Sequence, residues 1–246
     1  PVRQDKLEKI LYWYFGDIMY KAPVEENNKV LVNIVNYDIE HEKFREYLMY
    51  TSDVNRQKTI NKLTTIGRRN KFIIDTMEEI LQEANRKILV LSDRIEHLEL
   101  LKKRLEEREI ASCDFYIGGM KQKALKIAEN AQVLFASYGM ASEALDIPDL
   151  NTLFMVTSRK EVEQAVGRVI RKIDPNTRPI IYDFTDQLPS FVRQGLHRRK
   201  LYKKMGFELR IIEVKNNEIL RQIDISECND ITQVTKVNNE ECEFLD

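Results

Sequence analysis

Cysteine, histidine and glycine are scarce in this chain, whose 246 residues hold 3 Cys, 3 His and 8 Gly. Cys113, Cys228 and Cys242 are odd in number and show no C-x-x-C spacing, and His41, His97 and His197 are scattered. These absences exclude a disulfide framework and a zinc finger, and no metal site is expected. No hydrophobic run reaches the length of a membrane span, so no membrane partner is expected either. The opening Pro1-Val2-Arg3-Gln4-Asp5 lacks the charged and apolar regions of a signal peptide. A reducing, intracellular compartment follows as the expectation. An excess of one charge is also missing, because 39 basic side chains face 40 acidic ones. No global field for a polyanion exists.

What is present is enough apolar material for a core, 43% of residues, and an uneven distribution of charge. Arg193, Arg198, Arg199, Lys200, Lys203 and Lys204 crowd one stretch, whereas Glu213, Glu218, Asp224, Glu227, Glu240, Glu241 and Glu243 make the end acidic. The first stretch interleaves with Leu188, Phe191, Val192, Gly195, Leu196 and Tyr202 at helical spacing. It is expected to pack its apolar face and expose its basic face, as a solvated surface or as an auxiliary phosphate contact.

Periodicity organises the rest. Leu7, Ile10, Leu11, Tyr14, Phe15 and Ile18 line one face of a helix that Pro23 ends, and residues 29–35 alternate as an outlying strand. A helical stretch over about 51–84 is broken near Gly67. From Lys87 onward, apolar runs at 88–91, 114–117, 133–136, 153–156 and 180–184 alternate with helices that begin near Arg94, Lys121, Glu161 and Gln187. Such alternation predicts an α/β fold with a mainly parallel sheet and helices on both faces. It is flanked by an N-terminal helical and strand extension over 1–84 and a C-terminal appendage over 207–246, leaving 85–206 as the core. In sheets of this kind ligands sit at the carboxyl ends of the strands.

The predicted strand ends carry distinctive residues. Ser92-Asp93-Arg94 suits a helix cap, and equally an anion site at a helix N-terminus. Gly118-Gly119 before Lys121 suits a tight turn, or a glycine backbone bared toward a phosphate. The loop Ser137 to Pro148 holds Gly139, Glu143 and Asp146, more polar chemistry than a connector needs. Finally Gln164, Arg168 and Arg171 fall at offsets of four and three along one helical stripe, with Gly167 beside Arg168 and Val162, Val166, Val169 and Ile170 on the opposite face. Two guanidiniums with an amide beside them suit a polyanion whose charge grows during reaction, such as a transferring γ-phosphoryl group.

Taken in order, these pieces resemble the C-terminal RecA-like lobe of a superfamily 2 helicase. The segment 88–94 looks like motif IV, 137–148 like motif V, and Gln164 to Arg171 matches the Q-x-x-G-R-x-x-R of motif VI. The likeness is greatest to helicases of large DNA viruses, of the African swine fever virus and poxvirus type, and to the UvsW and XPB branch. The opening seven residues resemble the segment just after motif III, so the sequence is expected to start at a lobe boundary. Two departures stand out: Ala144 occupies a position where relatives often carry glycine, and neither a Walker A lysine motif nor an acidic Mg²⁺ box occurs in the chain.

The resemblance implies an ATP cleft shared with an N-terminal lobe. Arg168 and Arg171 would act there as arginine fingers and Gln164 as the γ-phosphate or water sensor. Asp146, Glu143 and Gly167 would lie on the nucleotide, with Mg²⁺ held by the other lobe. Ser92, Arg94, Gly118, Gly119, Lys121, Ser137 and Gly139 would form a track for single-stranded or duplex nucleic acid, DNA or RNA. A location in the cytoplasm or nucleus of a host cell, or in the virion of a virus, would follow. Two other classes stay open: a non-catalytic α/β module that grips nucleic acid or a partner, and a regulatory module whose acidic tail docks a partner.

Overall fold

A computed structural model describes residues 13–14, 30–143, 147, 149–169 and 177–225, with the side chains of residues 142, 143, 168 and 169 excepted. Eight strands form one sheet in the order β3-β4-β2-β5-β6-β1-β7-β8. In chain order they are β1 (Leu31–Asp38), β2 (Ile88–Ser92), β3 (Cys113–Tyr116), β4 (Val133–Ser137), β5 (Thr152–Met155), β6 (Ile180–Asp186), β7 (Glu208–Lys215) and β8 (Glu218–Asp224). All pairings are parallel except β7 with β8. The helices are α1 (Arg56–Leu63), α2 (Gly67–Leu81), α3 (Ile95–Glu106), α4 (Gln122–Ala128), α5 (Tyr138–Glu143), α6 (Glu163–Val169) and α7 (Pro189–Lys204).

Strand side chains alternate between two apolar cores, as the period of two requires. Ile88, Val90, Val133, Phe135, Phe154 and Phe184 meet α1, α2 and α3 through Ile60, Leu63, Ile73, Met77, Leu98 and Leu101. Leu89, Leu91, Leu134, Ala136, Leu153 and Met155 meet α4, α5 and α6 through Ala128, Ala141, Ala165 and Val166. Because both faces are covered, the central strands read as continuous hydrophobic runs. The expected α/β architecture with helices on both faces is the one observed.

Three readings are corrected. The segment expected as an outlying strand is interior: β1 pairs with β6 on one side and β7 on the other, and Val32, Ile34 and Tyr37 have no exposed surface. Its polar letters misled, since Asn33 is itself buried. Second, the appendage expected over 207–246 opens with β7 and β8, a hairpin that extends the sheet. Its turn places Asn216 and Asn217 at φ 52° and 71°, the double positive φ that Asn tolerates and a two-residue hairpin needs. Two of its acids are neutralised locally, Glu213 by Arg221 and Asp224 by Arg210.

The third correction concerns the basic helix. Arg198 is 1% exposed. Its Nε and Nη2 donate to both oxygens of Asp183 at 2.8 and 2.6 Å, and Tyr202 donates to the same carboxylate at 2.9 Å. Arg199 is half-buried and reaches Asn36 on β1 at 2.7 Å. Gly195 permits this approach, because a Cβ there would lie 2.9 Å from the Thr185 methyl group. Arg193, Lys200, Lys203 and Lys204 remain exposed. Two of the six basic side chains, Arg198 and Arg199, are therefore cross-links within the fold.

Removing one partner of a buried ion pair strands the other charge, which costs about 3–5 kcal/mol. Arg198→Gln should lower stability by that amount, whereas Lys200→Gln should stay within about 0.5 kcal/mol of the parent. Urea midpoints of the two variants test this, and equal midpoints would refute the structural role of Arg198.

Candidate functional site

The strand ends converge where β2 and β5 lie side by side while the helices that follow them, α3 and α6, leave to opposite faces of the sheet. Such a switch opens a crevice at the carboxyl edge. The two strand ends are tied there, because the Asp93 amide donates to Thr157 Oγ1 at 2.9 Å.

The turn that leads from β5 to α6 is held by its carbonyls. Val156 O accepts from Arg69 Nη2 at 2.8 Å, Thr157 O from the Tyr138 hydroxyl at 2.7 Å, Ser158 O from Arg56, and Arg159 O from Arg198 Nη1 at 2.7 Å. Each donor is anchored in turn. Arg69 is bidentate on Asp186 at 2.6 and 2.9 Å, both side chains being 1% exposed. Arg56 pairs with Asp93, whose other oxygen accepts from Arg159 at 3.2 Å. Tyr138 lies under the Arg159 guanidinium, 5.2 Å from the ring centroid, and burial pushes its phenol well above the ordinary value. Four successive peptide groups are thus fixed by side chains from α1, α2, α5 and α7.

The expected site residues fall into three groups. Gln164 is exposed on α6, and Arg168 lies on the same helix four residues on. A Cβ at Gly167 would meet no described atom within 4 Å. Arg171 and Asp146 lie outside the described residues. Glu143 is the last residue of α5, with its side chain outside them too, so the expected loop begins with a short helix.

The second group sits at the ends of β3 and β4. Gly118, Gly119, Lys121 and Gly139 are exposed, and Gly119 adopts φ +86°, which a side chain would strain. Ser137 is partly exposed, and its Oγ accepts weakly from the Met140 amide at 3.4 Å. Arg94 lines a cleft of about 560 Å³ between α1 and α3 with Gln57, Asn61, Thr64 and Thr65. It already bonds Asn61 and the Gln57 carbonyl.

Ser92 stands apart and corrects its expected contact with nucleic acid. It has no exposed surface; its Oγ accepts from the Arg94 amide at 3.2 Å and meets His97 Nδ1 at 3.1 Å. His97 Nε2 meets Asn70 Oδ1 at 3.0 Å, and Asn70 donates to Thr64 O at 2.7 Å. Burial, and then the positive charge of Arg69, hold His97 well below the ordinary imidazole value and therefore neutral. The Ser–His–Asn row fastens α3 to α2 and the end of β2, and being closed to solvent it cannot meet a substrate.

Sequence reasoning passed over Arg56, Arg69, Tyr138, Thr157 and the acids Asp183 and Asp186. One signal was available: Asp183 interrupts the run Ile180 to Thr185 and Asp186 closes it, and a carboxylate inside a buried strand demands a cation. Which cation is not local information, because Arg69 lies 117 residues from Asp186.

Residues 69–172 match the family model described as helicase conserved C-terminal domain. Over that stretch the chain is similar to helicase C-terminal domains. The likeness is to the superfamily 2 type, and the fold is the RecA-like one that the chain's ordered motifs implied. Over 84% of the chain it is 34% identical to a putative ATP-dependent RNA helicase of Acanthamoeba polyphaga mimivirus. It is also 23% identical, over 84% of the chain, to one of African swine fever virus. It spans less than half of either relative, 41% and 44% respectively. Among solved structures it is similar to T4 UvsW, with TM-score 0.60 and 20% identity over 77% of this chain and 42% of that one. The gripped turn 156–159 lies just ahead of the matched stretch's Gln164-to-Arg171 segment, and α6 begins four residues after it.

His97 supplies a pH test. Its folded-state value lies below 6.5, so its contribution to stability is complete above 6.5 and is lost as pH falls below that. Stability should decline below pH 6.5 by at most about 1.4 kcal/mol per unit from this group. In His97→Gln that part of the slope should vanish. Melting temperatures between pH 8 and 5 decide it; parallel profiles for parent and variant would exclude His97 as the source.

Proposed function

We propose that this chain is the C-terminal half of an ATP-dependent nucleic-acid helicase or translocase. Arg168 and Arg171 serve as arginine fingers toward an ATP cleft shared with an N-terminal lobe, and Gln164 senses the γ-phosphate or the attacking water. Asp146 and Glu143 face the ribose, and Gly167 lets the nucleotide approach α6. Arg94, Gly118, Gly119, Lys121, Ser137 and Gly139 form one stretch of a backbone-gripping track, with Ser92 positioning Arg94 from beneath. A strand held by its backbone suits a motor that ignores sequence. DNA and RNA both fit this chemistry. The protein acts inside a cell, in the cytoplasm or nucleus of a host, and is carried in the virion if the source is viral.

The observation that carries the reading is the grip on residues 156–159 just ahead of the Gln164–Arg168 stripe. An arginine finger gains its effect from a fixed position relative to the phosphate, and a simple binding module has no need for three guanidiniums on the loop that leads into this helix. The family match and the ATP-dependent helicase relatives support the same reading. Among the described residues no group of three or more His, Cys, Asp or Glu is placed to hold a metal ion. The resemblance assigns Mg²⁺ to carboxylates of the other lobe.

In the protein that joins both lobes, Arg168→Ala or Arg171→Ala should lower ATP turnover by about 10³ to 10⁵-fold, and lysine should restore little because it lacks the planar fork. Steady-state ATPase assays measure this, and near-normal turnover in both alanine variants would sink the assignment. The present chain alone should hydrolyse no ATP. It should bind single strands of any sequence with an affinity that falls steeply with salt. Fluorescence anisotropy against ionic strength checks the track, and affinity indifferent to salt would leave only a different kind of binding module.

A further inference from the structure

The segment between β1 and α1 is an ordered hairpin with an apolar tip. Leu48 bridges Val54 in antiparallel fashion, the Met49 amide donates to Asp53 O at 2.8 Å, and the Asn55 amide donates to Tyr47 O at 2.7 Å. Ser52 takes φ 64° at the turn, and Thr51 Oγ1 donates to the Asp53 carboxylate at 3.0 Å. On this frame Leu48, Met49 and Tyr50 are exposed in succession, Tyr50 at 111% of its reference surface. A turn built from so many internal bonds has no structural need for an aromatic ring held clear of every neighbour.

The hairpin lies on the same carboxyl edge as the strand-end cluster. It starts beyond Asp38 at the end of β1, and Glu46 accepts from the Ser190 amide at 2.6 Å where β6 passes into α7. Its base is pinned to α1 by the Tyr47 amide donating to Thr59 Oγ1 at 3.0 Å. From there α1 carries Gln57 and Asn61 to Arg94 and the cleft beside the end of β2. Two cations flank the hairpin's foot: Arg45 and Lys58 lie 5.2 and 5.4 Å from the centroid of the Tyr47 ring.

We propose that this hairpin is a nucleobase-stacking site, with Tyr50 taking the face of an unpaired base while Arg45 and Lys58 hold the adjoining phosphates. A free aromatic ring at the tip of a hairpin whose foot carries two cations, on the edge where a strand's backbone is proposed to be gripped, matches what unpaired nucleic acid offers: a flat apolar base every nucleotide and a charge beside it. The inference rests on the nucleic-acid part of the proposed function and adds a contact that depends on bases rather than on phosphates alone.

The test uses this chain and two 15-nucleotide probes, an oligothymidylate and an abasic strand of equal length, read by fluorescence anisotropy. Tyr50→Ala should weaken the oligothymidylate complex by about 5- to 100-fold, the range expected for one stacked base. It should leave the abasic complex and the melting temperature unchanged, and Tyr50→Phe should bind like the parent. If the parent binds both probes and Tyr50→Ala binds them equally well, the stacking site is overturned while the track survives. If the parent binds neither probe, both the track and the stacking site fall. If instead light scattering shows a parent dimer that Tyr50→Ala converts to a monomer, the tip faces a second copy of this chain and the proposal is wrong.

Discussion

Everything this domain offers at its carboxyl edge depends on how the turn between β5 and α6 is held. The seven residues 156–162 that connect β5 to α6 form no strand or helix of their own, and a helix that starts from them would inherit their freedom. Here each carbonyl from Val156 to Arg159 accepts a side-chain hydrogen bond, and three of the four donors are guanidiniums already neutralised by Asp186, Asp93 and Asp183. Charge-assisted bonds of this kind are stronger than neutral ones, and in a low-dielectric interior they admit little alternative geometry. Arginine suits the task because its planar fork can grip a carboxylate with one edge and a peptide oxygen with the other.

The same clamp joins regions that would otherwise be independent. Arg56 belongs to α1 and Arg69 to α2 on one face of the sheet, while Tyr138 opens α5 on the other. Asp93, at the end of β2, shares its carboxylate between Arg56 and Arg159, so the strand end next to Arg94 and the approach to Gln164 are linked by one ion-pair network. In the proposed motor those are the nucleic-acid side and the nucleotide side. A displacement at one end must move or break bonds at the other, which gives coupling a material carrier. The Ser92–His97–Asn70 row stiffens the same strand end from below, at the cost of keeping an imidazole neutral.

Much of the fold was legible from local pattern. Apolar runs such as Ile88 to Leu91 and Val133 to Ala136 are buried strands because alternate residues must fill cores on both faces, and the helices between them start within a few residues of where periodicity places them. The glycines at 118, 119 and 139 were legible as exposed backbone for the same local reason. The interior position of β1 was not, since pairing partners 149 and 177 residues away, Ile180 and Glu208, leave no mark on residues 31–38. Nor was the inward turn of Arg198, which is indistinguishable in sequence from its exposed neighbour Lys200.

The sequence by itself determined the layered α/β architecture and the order of its motifs, because hydrophobic period and the Q-x-x-G-R-x-x-R spacing are properties of neighbouring residues. Only the tertiary structure decided which charges serve the fold and which face outward. Arg69, Arg198 and Ser92 are internal, whereas Gln164, Lys121 and Tyr50 are presented to solvent. The reason is that the free energy of a charged or polar side chain is set by what packs around it. A guanidinium beside a buried carboxylate and a peptide oxygen is a structural cross-link, and the same group without them remains in water.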